Sequence, residues 1–109
     1  MGIFNINNSQ QMLFGTEMTA VMTGSAVLIG TLPVPPSKLI FDNQGTASVA
    51  IYVSGTASGN LWRTFTPGEA VVIDLNDVNA KGPISAGTSF YGNGASGTFS
   101  ISYLYFKTA

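Results

Sequence analysis

The side chains that could carry out chemistry are few in this 109-residue chain, and they are scattered along it. There is no histidine and no cysteine, so the commonest general base and metal ligand, any thiolate nucleophile and any disulfide are excluded. Two carboxylates brought together by folding could hydrolyse a glycoside, but nothing in their spacing predicts such a pair. We therefore predict no catalytic residue, no metal site and no cofactor. The acidic residues are Glu17, Asp42, Glu69, Asp74 and Asp77.

Two short motifs only partly match known ligand sites. Gly92-Asn93-Gly94-Ala95-Ser96-Gly97 spells G-x-G-x-x-G, but a dinucleotide site needs a helix after it. The segment that follows, Thr98 to Phe106, has the pattern of a strand, so we predict a glycine-rich hairpin loop. Asp77 to Gly82 resembles a calcium loop but places Lys81 at a ligand position and lacks the closing Glu. It is interpreted as a surface turn.

The surface is unusual because so few residues are charged. Charged residues make up 8% of the chain against a usual share of about 25%, whereas hydrophobic residues make up 45%. Four Lys and Arg side chains cannot form the basic patch that nucleic acid requires. The apolar stretch from Met18 to Leu32 is interrupted by Thr, Ser and Gly, so no membrane span is predicted. An exterior of Ser, Thr, Asn, Gln and Gly suggests an inert surface or one covered by another protein.

The pattern of the chain predicts an all-β fold. Residues 1–11 are mostly polar and are interpreted as an N-terminal arm, whose apolar residues Ile3, Phe4 and Ile6 could pack on a neighbouring subunit. Residues 12–109 contain about eight short strands separated by turn signals. Such spacing is typical of an antiparallel β-sandwich, and we expect jelly-roll-like connections.

Alternation of apolar and polar residues predicts which side chains face the core. It is clearest in Lys38 to Asp42 and in Ala47 to Ser54, which with the turn at residues 43–46 are interpreted as a hairpin. The predicted core residues are Leu39, Phe41, Val49, Ile51, Val53, Val71, Ile73, Phe99 and Ile101.

The segment Thr66-Pro67-Gly68-Glu69 allows two interpretations. It matches a capping box with Pro at the first helical position. A helix would, however, carry the β-branched run Val71-Val72-Ile73 directly after Gly68. We therefore predict a turn followed by a strand.

The aromatic residues are the strongest candidates for contacts with a partner. Tyr52 is predicted on the outer face of its strand, and Trp62 on the face opposite to Phe65. The last strand is apolar on both faces, which is typical of a central strand or of one covered by a partner. Trp and Tyr are enriched in protein interfaces and can also stack on sugar rings. The candidate interface residues are Ile3, Phe4, Ile6, Tyr52, Trp62, Tyr103, Tyr105 and Phe106.

Four segments in the second part of the chain follow one another in a characteristic order. They are Lys38-Leu39-Ile40-Phe41-Asp42-Asn43, Phe65-Thr66-Pro67-Gly68-Glu69-Ala70-Val71-Val72-Ile73-Asp74-Leu75, Gly87-Thr88-Ser89-Phe90-Tyr91 and Gly97-Thr98-Phe99-Ser100-Ile101-Ser102-Tyr103. In this order residues 37–106 resemble small virion proteins of tailed bacteriophages, some of which are capsid decoration or cement proteins and often trimers.

The resemblance implies a non-enzymatic virion protein, made in the host bacterial cytoplasm and located on the capsid surface. Its expected partners are other copies of itself, with a trimer favoured, and the major capsid protein or another virion protein. A carbohydrate- or receptor-binding module using Trp62, Tyr52 or Tyr91 is the alternative. A hydrolase with two carboxylates is the third hypothesis.

Overall fold

A computed structural model describes residues 10–75 and 84–108, and within them the chain is all-β. Nine strands and one short 3-10 turn, Ser58–Asn60, make up the regular structure of these described residues. The strands confirm the predicted antiparallel β-sandwich. They are β1 (Gln10–Phe14), β2 (Met18–Val21), β3 (Val27–Thr31), β4 (Lys38–Asn43), β5 (Val49–Val53), β6 (Leu61–Phe65), β7 (Ala70–Asp74), β8 (Ser89–Gly94) and β9 (Thr98–Thr108).

The strands form two sheets with jelly-roll topology. In sheet A, β1 and β2 both lie beside β9, which is followed by β4 and β7. Sheet B has the order β3-β8-β5-β6. Strands that are nested in sequence pair with each other, β5 with β6, β4 with β7, β3 with β8 and β2 with β9. Successive nested pairs alternate between the sheets: β5–β6 and β3–β8 lie in sheet B, and β4–β7 and β2–β9 lie in sheet A. This alternation is the jelly-roll arrangement.

The core lies between the two sheets, and the predicted core residues all belong to it. Six of them are at most 1% exposed, and Val53, Val71 and Ile73 pack against its margin. The alternation of apolar and polar residues predicts these positions because every second side chain of a half-buried strand points inward. Further buried residues not predicted as core come from shorter or less regular segments: Met22, Ile29, Leu32, Phe65, Phe90 and Tyr103.

The predicted hairpin of Lys38 to Asp42 with Ala47 to Ser54 is wrong. Strand β4 lies in sheet A and pairs with β7 and β9, whereas β5 lies in sheet B and pairs with β6 and β8. The connection between them is a corner that crosses the sandwich. The glycine-rich segment Gly92–Gly97 is likewise followed by a strand, as predicted, but β8 and β9 lie in different sheets, so it is a corner and not a hairpin loop.

The predicted orientation of Trp62 is wrong because β6 contains a bulge. Ile51 pairs with Arg63 and Tyr52 with Leu61, which leaves Trp62 as the extra residue. Its ring lies 4.8 Å from that of Phe41, against the core. Trp62 therefore faces the same side as Phe65 and not the opposite side.

Residues Thr66 to Glu69 form the predicted turn before strand β7. The Glu69 amide donates to the Thr66 carbonyl oxygen at 3.1 Å, and Gly68 has a φ of 76°, which is the geometry of a type II turn with Pro at its second position. The capping-box contact is nevertheless made, because the Thr66 amide donates to Glu69 Oε1 at 3.0 Å. Arg63 donates to the second carboxylate oxygen at 2.7 Å, so the side chain of Glu69 ties the turn to β6.

We expect Gly97→Ala to lower the free energy of unfolding by about 2 kcal/mol. Gly97 has a φ of 93°, and an added Cβ would lie 2.7 Å from the Cα of Gly45, where the corners β4–β5 and β8–β9 touch. Urea unfolding measures the loss. Gly68→Ala is the matched control, because its φ is also positive but a Cβ there meets nothing within 4 Å. An equal loss in both variants would contradict a role for the contact between corners.

Candidate functional site

Three carboxylates of the described residues take part in separate local contacts. Glu17 accepts a hydrogen bond from Ser102, Asp42 from Gln44, and Glu69 from Thr66 and Arg63. Within residues 10–75 and 84–108 no three His, Cys, Asp or Glu side chains come together as metal ligands would. The motif at residues 77–82 lies outside the described residues. No helix in the described part of the chain is long and apolar enough to cross a membrane.

The most distinctive surface is where β9 extends beyond its neighbour β4. The pairing of β4 with β9 ends at Lys38 and Leu104, so residues 105–108 of β9 pair only with β1 among the described residues. The result is a two-stranded ribbon at one end of sheet A. Isolated two-stranded ribbons are marginally stable in water, so this end of the sheet has little support of its own.

Four large apolar side chains lie on the outer side of the ribbon and its base. Met12 pairs with Phe106 and Phe14 with Leu104, and directly paired residues project to the same side of a sheet. Phe14 is 74% exposed, Phe106 47% and Met12 40%, while Leu104 is half-buried. We call Met12, Phe14, Leu104 and Phe106 the ribbon face.

The inner side of β9 accounts for the other aromatic residues predicted on this strand. Tyr103 is only 4% exposed and belongs to the core, so it is not available at the surface of the chain. Tyr105 is half-buried, with its ring centroid 6.1 Å from that of Tyr103. Of the three residues predicted here, only Phe106 lies on the exposed side. The strand is apolar on its inner side because it is central in sheet A, and apolar on its outer side only near the ribbon.

A second row of large side chains crosses the outer side of sheet B. Leu28 pairs with Tyr91, Tyr91 with Tyr52, and Tyr52 with Leu61, so the four residues form one line across four strands. Leu28 is 53% exposed and Leu61 47%, and both tyrosines are half-buried. We call this line the sheet B row. It places the predicted outward Tyr52 beside Tyr91, whereas Trp62 packs on the core.

Some candidate residues lie outside the described part, and some surface residues are not predicted from the sequence. Ile3, Phe4 and Ile6 precede Gln10 and are not described; β1 itself begins within the predicted arm of residues 1–11. Met12 and Phe14 belong to the ribbon face, but their strand is too short for periodicity to identify an outer side. Only the register of β1 against β9 brings them beside Phe106 and Leu104.

Comparisons with known proteins give distant structural matches only. No family model and no curated protein matches the chain. The solved structure of PirA has a TM-score of 0.46 and 14% identity, covering 82% of this chain and 93% of that one. A protein from Bacillus endospore appendages, described as disulfide-linked pili, has a TM-score of 0.46 and 13% identity, covering 91% of both chains. A family two carbohydrate esterase from Clostridium thermocellum has a TM-score of 0.38 and 12% identity, covering 84% of this chain and 26% of that one.

Proposed function

We propose that this chain is a non-enzymatic virion structural protein that decorates the capsid of a tailed bacteriophage and stabilises the head as an oligomer, with a trimer favoured. The observation that carries the proposal is the ribbon face. It presents Phe14, Phe106 and Met12 to solvent in a chain that has only four basic and five acidic residues. Contiguous apolar surface on a soluble protein marks a place where another protein binds.

The chemistry of this surface suits permanent assembly. Aromatic residues and Met are the side chains enriched at the centre of protein interfaces, and charged residues are depleted there. A standard interface buries about 1,600 Å² in total, so the ribbon face and its surroundings would form part of such a contact. Because few charges are involved, binding of this kind depends weakly on salt. Several copies around a symmetry axis would add avidity on a capsid lattice.

The composition of the whole chain also supports a role without catalysis. A capsid decoration protein performs no chemistry, and this chain contains neither His nor Cys. The carboxylates of Glu17, Asp42 and Glu69 are engaged in turn and surface contacts, which suits a structural role for them. Location on the capsid surface follows from the proposed role.

Replacing Phe14 by Ser is expected to weaken self-association about thirtyfold, which corresponds to about 2 kcal/mol for a side chain at the centre of an interface. The wild-type mass and its concentration dependence are measured by light scattering coupled to gel filtration. Thr19→Ser is the conservative control, because Thr19 on β2 lies on the same side of sheet A, opposite Ser100 of β9. A wild-type chain that stays monomeric at high concentration would contradict the proposed oligomer.

The position on a virus particle is tested separately from self-association. We expect the gene to lie beside genes for head assembly, and we expect purified protein to co-sediment with heads that lack it. Phe14→Ser and Phe106→Ser should reduce this binding, and Val21→Ser should not. An oligomer that leaves heads unbound in sedimentation would overturn the decoration role but not the oligomer.

The sheet B row supports a second candidate function, binding of a carbohydrate or receptor in a phage tail or fibre. Tyr52 and Tyr91 lie side by side on the outer side of the sheet, where their rings could stack on sugars. A glycan array tests this candidate. Signal that is lost in Tyr52→Ala but kept in Tyr52→Phe would favour stacking on sugars, and no signal would leave the decoration role as the better explanation.

A further inference from the structure

The edge strands of the two sheets are not equally protected against pairing with a strand of another chain. A free edge presents N–H and C=O groups that can bind another chain, and proteins commonly block such edges with bulges, Pro or Lys. In sheet B, the edge strand β3 has a register shift between Leu28 and Gly30, and β6 has the bulge at Trp62. Both edges of sheet B therefore carry a known form of protection.

Strand β7, at one edge of sheet A, carries none of these features. Its pairing with β4 runs without a register shift from Asp42 and Ala70 to Lys38 and Asp74. Its sequence, Ala-Val-Val-Ile-Asp, contains no Pro and no Lys and includes three β-branched residues. Among the described residues β7 pairs only with β4, and Val72 is 62% exposed. The strand has the properties of an edge that binds another strand.

The backbone groups that face this edge can be identified from the ladder. The Leu75 amide donates to Ser37 and the Glu69 carbonyl accepts from Asn43, both at 2.9 Å, so the odd-numbered residues of β7 point towards β4. In an antiparallel ladder successive residues point to opposite edges. The N–H and C=O groups of Ala70, Val72 and Asp74 therefore point away from β4.

We infer that two copies of this chain pair through β7, antiparallel and about a two-fold axis at Val72. This register places Val72 opposite Val72 of the second copy and Ala70 opposite its Asp74. The two Val72 residues then form a hydrogen-bonded pair on the axis. The two A sheets become one continuous sheet. The inference deepens the self-association part of the proposed function. Because a two-fold contact joins copies only in pairs, the favoured trimer would form through the ribbon face.

A second copy is the occupant because the strand is complementary to itself in this register. The exposed Val72 side chains meet across the axis, and each Asp74 faces the small Ala70, so no like charges stand opposite each other. On the inner side Val71 faces Ile73 of the second copy, and both residues are only partly covered in one chain. The interface is identical on both copies, so it occupies the β7 edge of each and closes as a dimer contact.

Cysteine cross-linking tests the axis directly, because the natural chain contains no Cys. Residues in a hydrogen-bonded antiparallel pair have Cα atoms about 5.5 Å apart, within the range that a disulfide spans. Val72→Cys is therefore expected to give a reducible dimer under mild oxidation. Ala70→Cys is the matched control, because the two Ala70 residues would lie about 14 Å apart at 3.4 Å per residue and should not cross-link.

The alternative arrangement pairs β7 of one copy with β1 of the next. With the two five-residue strands centred on each other, Val72 would lie near Met12. A mixture of Val72→Cys and Met12→Cys proteins would then cross-link, while Val72→Cys alone would not. That result would overturn the two-fold contact. Since both arrangements use the same unmodified strand, the cysteine positions decide between them without a change in the fold.

The assembled mass gives a second, independent measurement. Val72→Lys is expected to halve the mass in light scattering, because a Lys on the edge blocks pairing, whereas Val21→Lys on β2 of the same sheet should not change it. An oligomer that keeps its mass in Val72→Lys and forms no disulfide in Val72→Cys overturns the β7 contact but leaves the proposed self-association standing. A wild-type monomer overturns both.

Discussion

Replacing Phe41 with alanine is expected to lower the free energy of unfolding by about 4 kcal/mol, a large part of the 5–15 kcal/mol typical of a whole domain. Phe41 is 1% exposed and projects from β4 in sheet A. Its ring centroid lies 4.8 Å from that of Trp62, 5.6 Å from Phe65 and 5.7 Å from Phe90, all in sheet B. The truncation would leave a cavity at the point where the two sheets are joined by aromatic contacts.

Urea unfolding followed by Trp62 fluorescence measures the loss, since Trp62 is the single tryptophan and contacts the mutated position. Phe106→Ala provides the matched control because the same side chain is removed from the 47% exposed ribbon face. We expect it to change the stability of the single chain by less than about 0.5 kcal/mol. Comparable losses in the two variants would show that Phe41 does not connect the sheets as described.

The inward residues of the long strands could be predicted from sequence because alternation depends only on the local chain. Leu39 and Phe41 on β4, and Val49 and Ile51 on β5, are buried as their period of two predicts. The same signal is weak for Phe65 and Phe90. Phe65 ends a strand that contains a bulge, and Phe90 lies in a strand where three of six residues are Gly or Asn.

The path between the strands could not be predicted in the same way. A hairpin and a corner between two sheets both keep the same side chains directed inward, so the alternation in β4 and β5 fits either connection. The difference lies in contacts between residues far apart in sequence. The corner after β4 depends on Phe65 and Thr66, which are more than twenty positions away from Asn43.

Residues of the candidate surfaces could be predicted only where the apolar pattern of a single strand identifies its exposed side. Phe106 follows from the apolar outer side of β9, whereas Met12 and Phe14 join it through the pairing of the first described strand with the last. Tyr103 is of a residue type that is common in interfaces, but its ring packs against Gly15. A Cβ added at Gly15 would collide with that ring. Composition therefore indicates that a contact surface exists, and register determines which residues form it.

The two proposed contact surfaces of sheet A are compatible with one assembly. The ribbon face lies at one end of the sheet, on the β1 side, and β7 is the opposite edge strand. A two-fold contact through β7 would leave the ribbon face of both copies free for the other partners that the proposed function requires. Assembly on a lattice needs at least two distinct contacts per chain, and the ribbon face and the β7 edge would provide both.

Asn43 is a buried polar residue on β4, the strand that also carries Phe41. We expect Asn43→Ala to lower the free energy of unfolding by about 3 kcal/mol. Asn43 is 0% exposed. Its Nδ2 donates to the carbonyl oxygens of Ala47 and Thr66 at 3.0 Å and of Phe65 at 3.3 Å, and its Oδ1 accepts from the Gly45 amide at 3.1 Å. Alanine would leave these backbone groups without their partner inside the corner.

Asn43→Asp separates hydrogen bonding from shape, because the carboxylate has nearly the same size but no N–H to donate. At pH 7 it would direct negative oxygens at carbonyl oxygens in a buried site, so we expect a loss at least as large as that of alanine.

Asn60→Ala is the control for Asn43→Ala. Asn60 is half-buried, and its side-chain Nδ2 donates a single described hydrogen bond, to the carbonyl oxygen of Val53 at 2.9 Å, so a loss of about 1 kcal/mol is expected. If urea unfolding gave Asn43→Ala and Asn60→Ala the same stability, the corner would not depend on Asn43. A larger loss at Asn43 would mean that one amide stabilises the connection which makes β4 and β5 parts of different sheets.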